Sequence, residues 1–298
     1  MKRKIAYTRR MKGIVLAGGT GSRLWPMTKS VSKQLLPIYD KPLIYYPIST
    51  LMLADIREIL IITTPQDQES FKSLLGDGSQ FGVSFQYAIQ QKPNGLAEAL
   101  IIAEEFLNGG KSMMILGDNF FHGGGLGHEL KKVKEINGCH VFLTRVNNPS
   151  DYGVLTLDLN DRPVAIVEKP VDPISPWAVT GMYVFDNAAP EFAKGLTKSA
   201  RGELEITSVL ERYLQQGTLN FSILSRGNTW LDTGTPENLL EASNYVRILE
   251  QRSGLKIACL EEIAWDNGWI NESELRSCTK NVGRSYGKYL LGLLPDQK

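Results

Sequence analysis

Cysteine is scarce in this sequence, and its cysteines show no ligand-like pattern. Only 3 occur in 298 residues, Cys139, Cys259 and Cys278, and they form no Cys-x-x-Cys pair. A structural zinc site needs closely spaced cysteines, and a disulfide framework normally contains an even number of them, so neither is expected. A reducing cytoplasm is the expected location.

Long apolar runs and an excess of one charge are also lacking. The apolar run at 59–62 is far shorter than the roughly 20 residues that a membrane-spanning helix needs, so no membrane association is expected. The 33 Lys and Arg residues nearly balance the 32 Asp and Glu residues, which gives a net charge of +1. Binding of nucleic acid by counterion release needs a clustered positive excess, so no nucleic-acid partner is expected. If the protein binds phosphate, it must do so at a local site and not across a broad basic surface.

The composition and hydrophobic pattern of the sequence divide the chain into three parts. Residues 1–11 form a basic arm, expected to be flexible, and no apolar stretch follows that could serve as a signal-peptide core. Residues 12–235 form the predicted core, with a first half at about 12–145 and a second half at about 146–235. Residues 236–298 form a predicted helical appendage.

The first half alternates short β-branched runs with segments of helical period. This pattern predicts an α/β fold with a Rossmann-like, mostly parallel mixed sheet flanked by helices. The predicted strands cover 13–17, 59–63, 84–88, 113–116 and 140–144.

The second half predicts a further sheet, inserted after the first and facing it. Its predicted strands cover 154–158, 164–168, 179–185 and 221–224, around one helix at 204–215. Beyond it, the one-sided apolar spacing after Pro236 predicts a helix that ends at Gly254, and Asn271 with Glu274 three residues later predicts a capping box.

The segment LAGGTGSRLWP at 16–26 directly follows the first predicted strand and is rich in glycine. Glycines let backbone N–H groups approach a phosphate closely at the carboxyl end of a parallel strand. The segment lacks the Gly-Lys-Ser/Thr ending of a Walker loop and the third glycine of a dinucleotide fingerprint. A purely structural turn is the alternative, but Arg23 and Lys33 follow closely, and two cations favour a polyphosphate ligand. We expect the ring of Trp25 to pack beneath this loop.

Several ordered motifs carry a more specific resemblance. They are GIVLAGG at 13–19, KQLLPIYDKP at 33–42, IYYP at 44–47, LLGDG at 74–78, RGELEIT at 201–207 and WLDTGT at 230–235. Together they resemble the sugar-1-phosphate nucleotidylyltransferases, and among these the thymidylyltransferases that use glucose 1-phosphate. The resemblance runs from about Met11 to the C-terminus and implies the nucleotide-diphospho-sugar transferase type of fold.

The resemblance also implies roles for individual residues at the nucleotide. Arg23 and Lys33 match the catalytic cations on the phosphates, and Asp118 and Asp232 match a carboxylate pair that holds Mg²⁺, a cation that prefers hard oxygen ligands. In isolation each aspartate would be interpreted as a turn or cap residue. The residues implied to bind the nucleotide are Leu16, Gly18, Gly19, Thr20, Gly21, Gln90, Gly95 and Asp118.

In the base-reading loop, Gln90 offers a donor and an acceptor to a pyrimidine edge. The loop departs from the family's form at Gln91, Lys92 and Asn94, which leaves thymine and uracil open. In the second half, the resemblance implies a sugar-phosphate site with Glu168 on ring hydroxyls and Lys169 on the phosphate. The residues implied for this site are Tyr152, Gly153, Glu168, Lys169, Val179 and Trp230.

The function implied by the resemblance is Mg²⁺-dependent transfer from dTTP to glucose 1-phosphate, giving dTDP-glucose for deoxysugar and surface-polysaccharide synthesis. Alternatives are a uridylyl- or other sugar-1-phosphate nucleotidylyltransferase, a catalytically silent nucleotide-sugar sensor, and a dinucleotide-dependent redox enzyme. The family also implies a homotetramer and feedback inhibition by a downstream dTDP-sugar at a second site near His122 and Arg226.

Overall fold

The computed structural model describes residues 10–19 and 21–295. Residues 1–9 of the predicted basic arm and the predicted phosphate-loop residue Thr20 lie outside this part of the chain. No helix within the described ranges is long and apolar enough to cross a membrane.

The strands of the described chain are numbered in sequence order. They are β1 (Lys12–Ala17), β2 (Pro37–Ile38), β3 (Lys41–Pro42), β4 (Glu58–Thr63), β5 (Ser84–Ile89), β6 (Ser112–Leu116), β7 (Asn119–His122), β8 (Cys139–Arg145), β9 (Gly153–Leu157), β10 (Pro163–Glu168), β11 (Trp177–Phe185), β12 (Leu219–Ile223) and β13 (Thr229–Asp232).

The α-helices are numbered in the same way. They are α1 (Tyr45–Leu53), α2 (Gln68–Leu75), α3 (Glu98–Ile102), α4 (Glu104–Leu107), α5 (Leu126–Lys132), α6 (Ala189–Lys194), α7 (Ile206–Gln215), α8 (Pro236–Ser253), α9 (Leu260–Asp266), α10 (Glu272–Cys278) and α11 (Arg284–Gly292).

A nine-stranded mixed sheet forms the centre of the molecule, and β6, β1, β4 and β5 lie parallel in that order within it. The apolar run of β1 is buried on both faces of the sheet. Val15 and Ala17 belong to one core cluster, whereas Ile14 and Leu16 belong to a second. Alternate side chains point to opposite faces of a strand, so helices must cover both faces, as in parallel sheets generally. The predicted α/β fold is confirmed.

The strands of the second half continue this same sheet. Strand β11 pairs antiparallel with β6, β8 and β9, β10 pairs with β9, and β12 pairs with β8. The predicted strand positions are therefore confirmed, but the expectation of a sheet that faces the first half is wrong. Strand β11 pairs with the free edge of β6, and the other strands add on through β11, so that one sheet extends sideways. The register of β11 against β8 breaks between Val179 and Tyr183.

A small two-stranded ladder that sequence patterns do not indicate joins the two halves. Strands β7 and β13 pair antiparallel, with Asn119 opposite Asp232 and His122 opposite Thr229. Each strand has only 4 residues, too few for a hydrophobic period to stand out. This ladder places the residues after β6 beside those before α8.

Both ends of α8 and the start of α10 lie where the sequence predicts them. The Thr235 side chain caps α8, Pro236 is its first residue, and Gly254 ends it with φ +73°. The capping box of Asn271 and Glu274 starts α10. Buried residues of α9, α10 and α11 share one core cluster with α1 and the central strands, so these helices pack on the main body.

A buried ionic cluster also ties α8 to the β2–β3 hairpin. The Glu250 carboxylate accepts hydrogen bonds from Lys41 Nζ at 3.0 Å and from Lys256 Nζ at 3.1 Å. Both lysines also contact Asp40. The hairpin follows the Lys33 segment closely in the chain, so this cluster anchors it against the C-terminal helices.

Candidate active site

The glycine-rich turn lies at the carboxyl end of β1 and needs glycine at Gly21. Gly21 has φ +61°, and a Cβ there would lie only 3.3 Å from the Cβ of Lys33. The Thr28 hydroxyl donates to the Gly21 carbonyl at 2.7 Å. Glycine thus allows both the left-handed backbone and the close approach of the Lys33 segment.

Other residues of the turn contact neighbouring loops. The Leu16 carbonyl accepts from the Gly117 N–H at 2.8 Å. A Cβ on Gly18 would lie 2.5 Å from Gln90 Oε1, whereas a Cβ on Gly19 would meet no described atom within 4 Å. The backbone at Gly19 therefore faces open space.

Lys33 and Asp118 form an ion pair at the centre of this region. Lys33 Nζ donates to Asp118 Oδ2 at 2.7 Å, and the side chains are 7% and 31% exposed. Burial opposes ionisation of the carboxyl, but the Lys33 ammonium outweighs it and holds the pKa of Asp118 below its usual value. Asp118 is therefore ionised at neutral pH.

The second predicted metal ligand, Asp232, lies on the neighbouring strand. It is opposite Asn119 in the ladder, and the Thr233 N–H and hydroxyl both donate to the Asp118 carbonyl, at 3.1 Å and 2.9 Å. Asp232 Oδ1 accepts from the Tyr152 hydroxyl and from Asn238 Nδ2, each at 3.0 Å. Two aspartates that are 114 residues apart in sequence are thus brought to adjacent positions.

This pair has the chemistry of a partial magnesium site. No group of three or more His, Cys, Asp or Glu suited to a metal occurs in the described ranges. Mg²⁺ commonly takes one or two protein carboxylates and completes its shell with phosphate oxygens and water. The donor set of Asp118 and Asp232 fits such an ion when a nucleotide supplies the phosphates.

Arg23 extends along the edge of the same region. A Cβ on Gly234 would lie 3.0 Å from Asp232 Oδ2 and 3.5 Å from Arg23 Nη1, so the guanidinium and this carboxylate share the space over Gly234. Arg23 is exposed, so its guanidinium is accessible to an anion from solvent. The neighbouring Trp25 is 59% exposed, so the expectation that its ring packs beneath the loop is wrong.

The predicted base-reading loop is held by hydrogen bonds within the chain. Gln90 Nε2 donates to the Gly95 carbonyl at 3.1 Å and to Glu98 Oε2 at 2.8 Å. Gly95 has φ +110°, and a Cβ there would lie 2.4 Å from the Leu204 carbonyl oxygen. In this conformation both N–H groups of Gln90 are engaged, and its amide oxygen lies over Gly18.

Three of the predicted sugar-site residues, Gly153, Glu168 and Val179, lie close together. A Cβ on Gly153 would lie 3.5 Å from Glu168 Oε2 and 4.0 Å from the Cβ of Val179. Glu168 accepts from Arg201 Nη1 and from the Thr207 hydroxyl, each at 3.2 Å. Arg201 and Thr207 lie in the RGELEIT segment, which the sequence singled out without giving them a role.

The Glu168 carboxyl is partly protected from solvent and sits near another acid. Burial, and then the neighbouring Glu205 carboxylate, raise the pKa of Glu168 above its usual value, against the smaller opposing effects of Lys169, Thr207 and Arg201. Lys169 itself is exposed, with φ +43°, and its N–H donates to the Tyr152 carbonyl at 3.0 Å.

Tyr152 and Trp230 connect the sugar-side residues with the carboxylate pair. Their rings meet edge to face with centroids 5.1 Å apart. The Tyr152 hydroxyl reaches Asp232, and Trp230 Nε1 donates to Asn119 Oδ1 at 2.6 Å. Asn119 was not among the predicted site residues; its place directly after Asp118 is the only sequence signal for it.

The residues predicted for an effector site lie at the far end of the β7–β13 ladder from Asn119 and in the turn before β13. His122 Nδ1 is 3.0 Å from the Tyr245 hydroxyl, and burial lowers the pKa of this histidine. Arg226 is exposed in the turn between β12 and β13. Among the described contacts, no hydrogen bond or ion pair joins the two.

Comparison with known proteins places this geometry in context. The family model of nucleotidyl transferases matches residues 12–247. A glucose-1-phosphate thymidylyltransferase of Neisseria meningitidis is 54% identical over 286 residues, covering 95% of this chain and 99% of the relative. One from Mycobacterium tuberculosis is 50% identical over 285 residues, with coverages of 95% and 99%.

Among solved structures, a protein from Bacillus anthracis assigned as a glucose-1-phosphate thymidylyltransferase, in complex with sucrose, is also similar. It has a TM-score of 0.74 and 41% identity, and the match covers 80% of this chain and 95% of that one.

Proposed function

The chain belongs to the nucleotidyl transferase family, and on this premise we propose that it transfers a thymidylyl group from dTTP to glucose 1-phosphate, giving dTDP-glucose and pyrophosphate. The observation that carries the proposal is the Lys33–Asp118 pair at 2.7 Å. It lies against the glycine-rich turn through Gly21 and is linked to the sugar side through Asn119 and Trp230.

The proposed reaction requires the protein to bring two anions together, the nucleoside triphosphate and the sugar phosphate. The attacking oxygen of a sugar phosphate is already negatively charged, so no general base is needed; the task is alignment and charge neutralisation at the α-phosphorus. Lys33 is suited to this role because it is buried and held in place by Asp118. When a phosphate binds, the Lys33 ammonium can leave Asp118 and donate to the phosphate oxygens. The exposed Arg23 can bind the leaving pyrophosphate.

Magnesium is proposed as the cofactor, held by Asp118 and Asp232. Bound there with the nucleotide, Mg²⁺ would neutralise charge on the phosphates that Lys33 and Arg23 leave uncompensated. The chain prepares for it by keeping Asp118 ionised and by fixing one oxygen of Asp232 through Tyr152 and Asn238.

The sugar side supplies acceptors for hydroxyl groups and a cation for the phosphate. Glu168 is oriented by Arg201 and Thr207 and can accept from ring hydroxyls, and Lys169 stands exposed beside it for the phosphate. A partly buried carboxylate discriminates among sugars because a missing hydroxyl removes one of the hydrogen bonds that it accepts.

The proposed choice of thymine and of glucose rests on the relatives' names. The test is pyrophosphate release from four nucleoside triphosphates against several sugar 1-phosphates. We expect the highest kcat/KM for dTTP with glucose 1-phosphate and lower activity with UTP, since one methyl group is worth roughly 1 kcal/mol in an apolar pocket. Preference for a purine triphosphate would refute the base assignment. No release with any pair would favour a silent nucleotide-sugar sensor.

The proposal extends to assembly and regulation. A homotetramer in the cytoplasm, serving deoxysugar and surface-polysaccharide synthesis, is proposed with feedback inhibition by a downstream dTDP-sugar near His122 and Arg226. Sedimentation equilibrium tests the tetramer. Equilibrium binding of dTDP-glucose tests the second site: two molecules per protomer are expected at saturation, and one would contradict it.

A further inference from the structure

A continuous line of hydrogen bonds runs from the sugar side of the site to the catalytic lysine. Trp230 Nε1 donates to Asn119 Oδ1 at 2.6 Å, and Asn119 Nδ2 donates to Asp118 Oδ1 at 2.8 Å. Asp118 Oδ2 then accepts from Lys33 Nζ at 2.7 Å. Asn119 is only 3% exposed, so its amide has little access to water as an alternative partner.

Donor and acceptor chemistry permits only one orientation of the Asn119 amide. An indole N–H can only donate, so the amide oxygen must face Trp230. The ionised Asp118 carboxylate can only accept, so the amide nitrogen must face Asp118. The opposite orientation would place the amide NH₂ group against the Trp230 N–H, and the amide oxygen against the Asp118 carboxylate.

Gly181 closes the space around this amide from the third side. A Cβ on Gly181 would lie 2.4 Å from Asn119 Oδ1, 2.7 Å from Cγ and 2.9 Å from Nδ2. Any side chain at this position would displace the amide. Gly181 also falls within the register break of β11 against β8, between Val179 and Tyr183.

From this arrangement we infer that Asn119 is a positioning residue through which Trp230 sets the orientation of Asp118 and thereby the affinity of the site for its divalent cation. The inference rests on the proposed function only in taking Asp118 as a metal ligand. When Lys33 turns to a phosphate, Asn119 remains as the side-chain donor that fixes Asp118. Removal of a group that orients a metal ligand typically weakens metal binding about 10- to 100-fold.

Trp230→Phe tests this directly because it keeps an aromatic wall and removes the N–H. The probe is Mn²⁺, titrated by electron paramagnetic resonance into the protein saturated with a non-hydrolysable dTTP analogue. We expect the Mn²⁺ Kd to rise about 10-fold, with a matching rise in the Mg²⁺ concentration for half-maximal pyrophosphate release. If Trp230 acts only as a wall for the sugar, the KM for glucose 1-phosphate changes and the Mn²⁺ Kd does not.

Gly181→Ala perturbs the same amide while leaving Trp230, Asn119 and Asp118 unchanged. We expect it to raise the Mn²⁺ Kd in the same direction, and it decides the question if Trp230→Phe fails to unfold cooperatively. Trp265→Phe in α9 is the matched control, and its Mn²⁺ Kd should equal that of the wild type.

The possible results separate this inference from the proposed function. An unchanged Mn²⁺ Kd in the folded variants would overturn the coupling, even in an active thymidylyltransferase. A raised Mn²⁺ Kd in a protein that releases no pyrophosphate would support the coupling and overturn the proposed reaction.

Discussion

Replacing Asp118 by asparagine should impair turnover and also cost a measurable amount of stability, for separate reasons. Each oxygen of the carboxylate accepts from a different donor, Lys33 at 2.7 Å and Asn119 at 2.8 Å. An amide at this position keeps one oxygen but points its NH₂ group at the other donor. One hydrogen bond is therefore replaced by a contact between two donors.

The structure sets the size of each effect. A buried donor left without a partner costs about 1–3 kcal/mol. The two possible stranded donors, Lys33 and Asn119, are only 7% and 3% exposed, so water relieves little of this, and we expect about 2 kcal/mol, or a Tm lower by about 4 °C in a chain of this size. Loss of one electrostatic stabiliser of the reacting phosphate should reduce turnover roughly 10²-fold or more.

Asp232→Asn is the matched comparison. Asp232 receives both of its side-chain hydrogen bonds on the same oxygen, from Tyr152 and Asn238, and an amide oxygen can retain both. Turnover should therefore fall as in Asp118→Asn, with a smaller change in Tm. Pyrophosphate release and differential scanning calorimetry measure the two effects. Near-full turnover of either variant at limiting Mg²⁺, or a wild type fully active in excess EDTA, would refute the metal-site reasoning.

Three further changes have distinct expected outcomes. Burial, and then the Glu205 carboxylate, raise the pKa of Glu168. The ionised carboxylate accepts from sugar hydroxyls more strongly than the protonated acid does, so Glu205→Gln should move the rise in the KM for glucose 1-phosphate at acidic pH to lower pH. Gly95→Ala, which forces a side chain into a backbone with φ +110°, should cost about 1–3 kcal/mol and raise the KM for the nucleotide. Glu250→Gln leaves two lysines, Lys41 and Lys256, sharing the single carboxylate of Asp40 and should lower the free energy of unfolding by roughly 3 kcal/mol, as measured by urea denaturation.

Each of these changes has a control in the same chain. Glu211→Gln on the exposed face of α7 should leave the pH profile unchanged. Gly217→Ala also has a positive φ but meets no atom within 4 Å, so it should cost less than Gly95→Ala. Glu241→Gln, exposed on α8, should leave the free energy of unfolding unchanged. Equal effects of a variant and its control would contradict the contact invoked for that variant.

The local structure of this protein can be predicted from its sequence because the causes are local. Continuous apolar runs predict the parallel strands β1, β4 and β6, and their burial on both faces follows from the lack of alternation. Proline at the start and glycine after the end bound α8, and Asn271 with Glu274 begins α10. Each signal acts over a few residues, and a single sequence shows it. The resemblance to a known family added the identity of the site residues.

The tertiary structure alone decided how the site residues meet. Strands β7 and β13 have 4 residues each and acquire their structure by pairing with one another across more than a hundred residues. That pairing sets Asp118 beside Asp232 and Asn119 against Trp230. The close approach of Gly181 in β11 to the same amide is likewise a long-range contact. Hydrophobic period reports which face of a segment is buried and carries no information on which distant segment covers it. The sequence by itself therefore determined the strands of the main sheet, the ends of α8, the start of α10 and the candidate residues. Long-range pairing determined how those residues meet, because its free energy is gained only when both partners are in place.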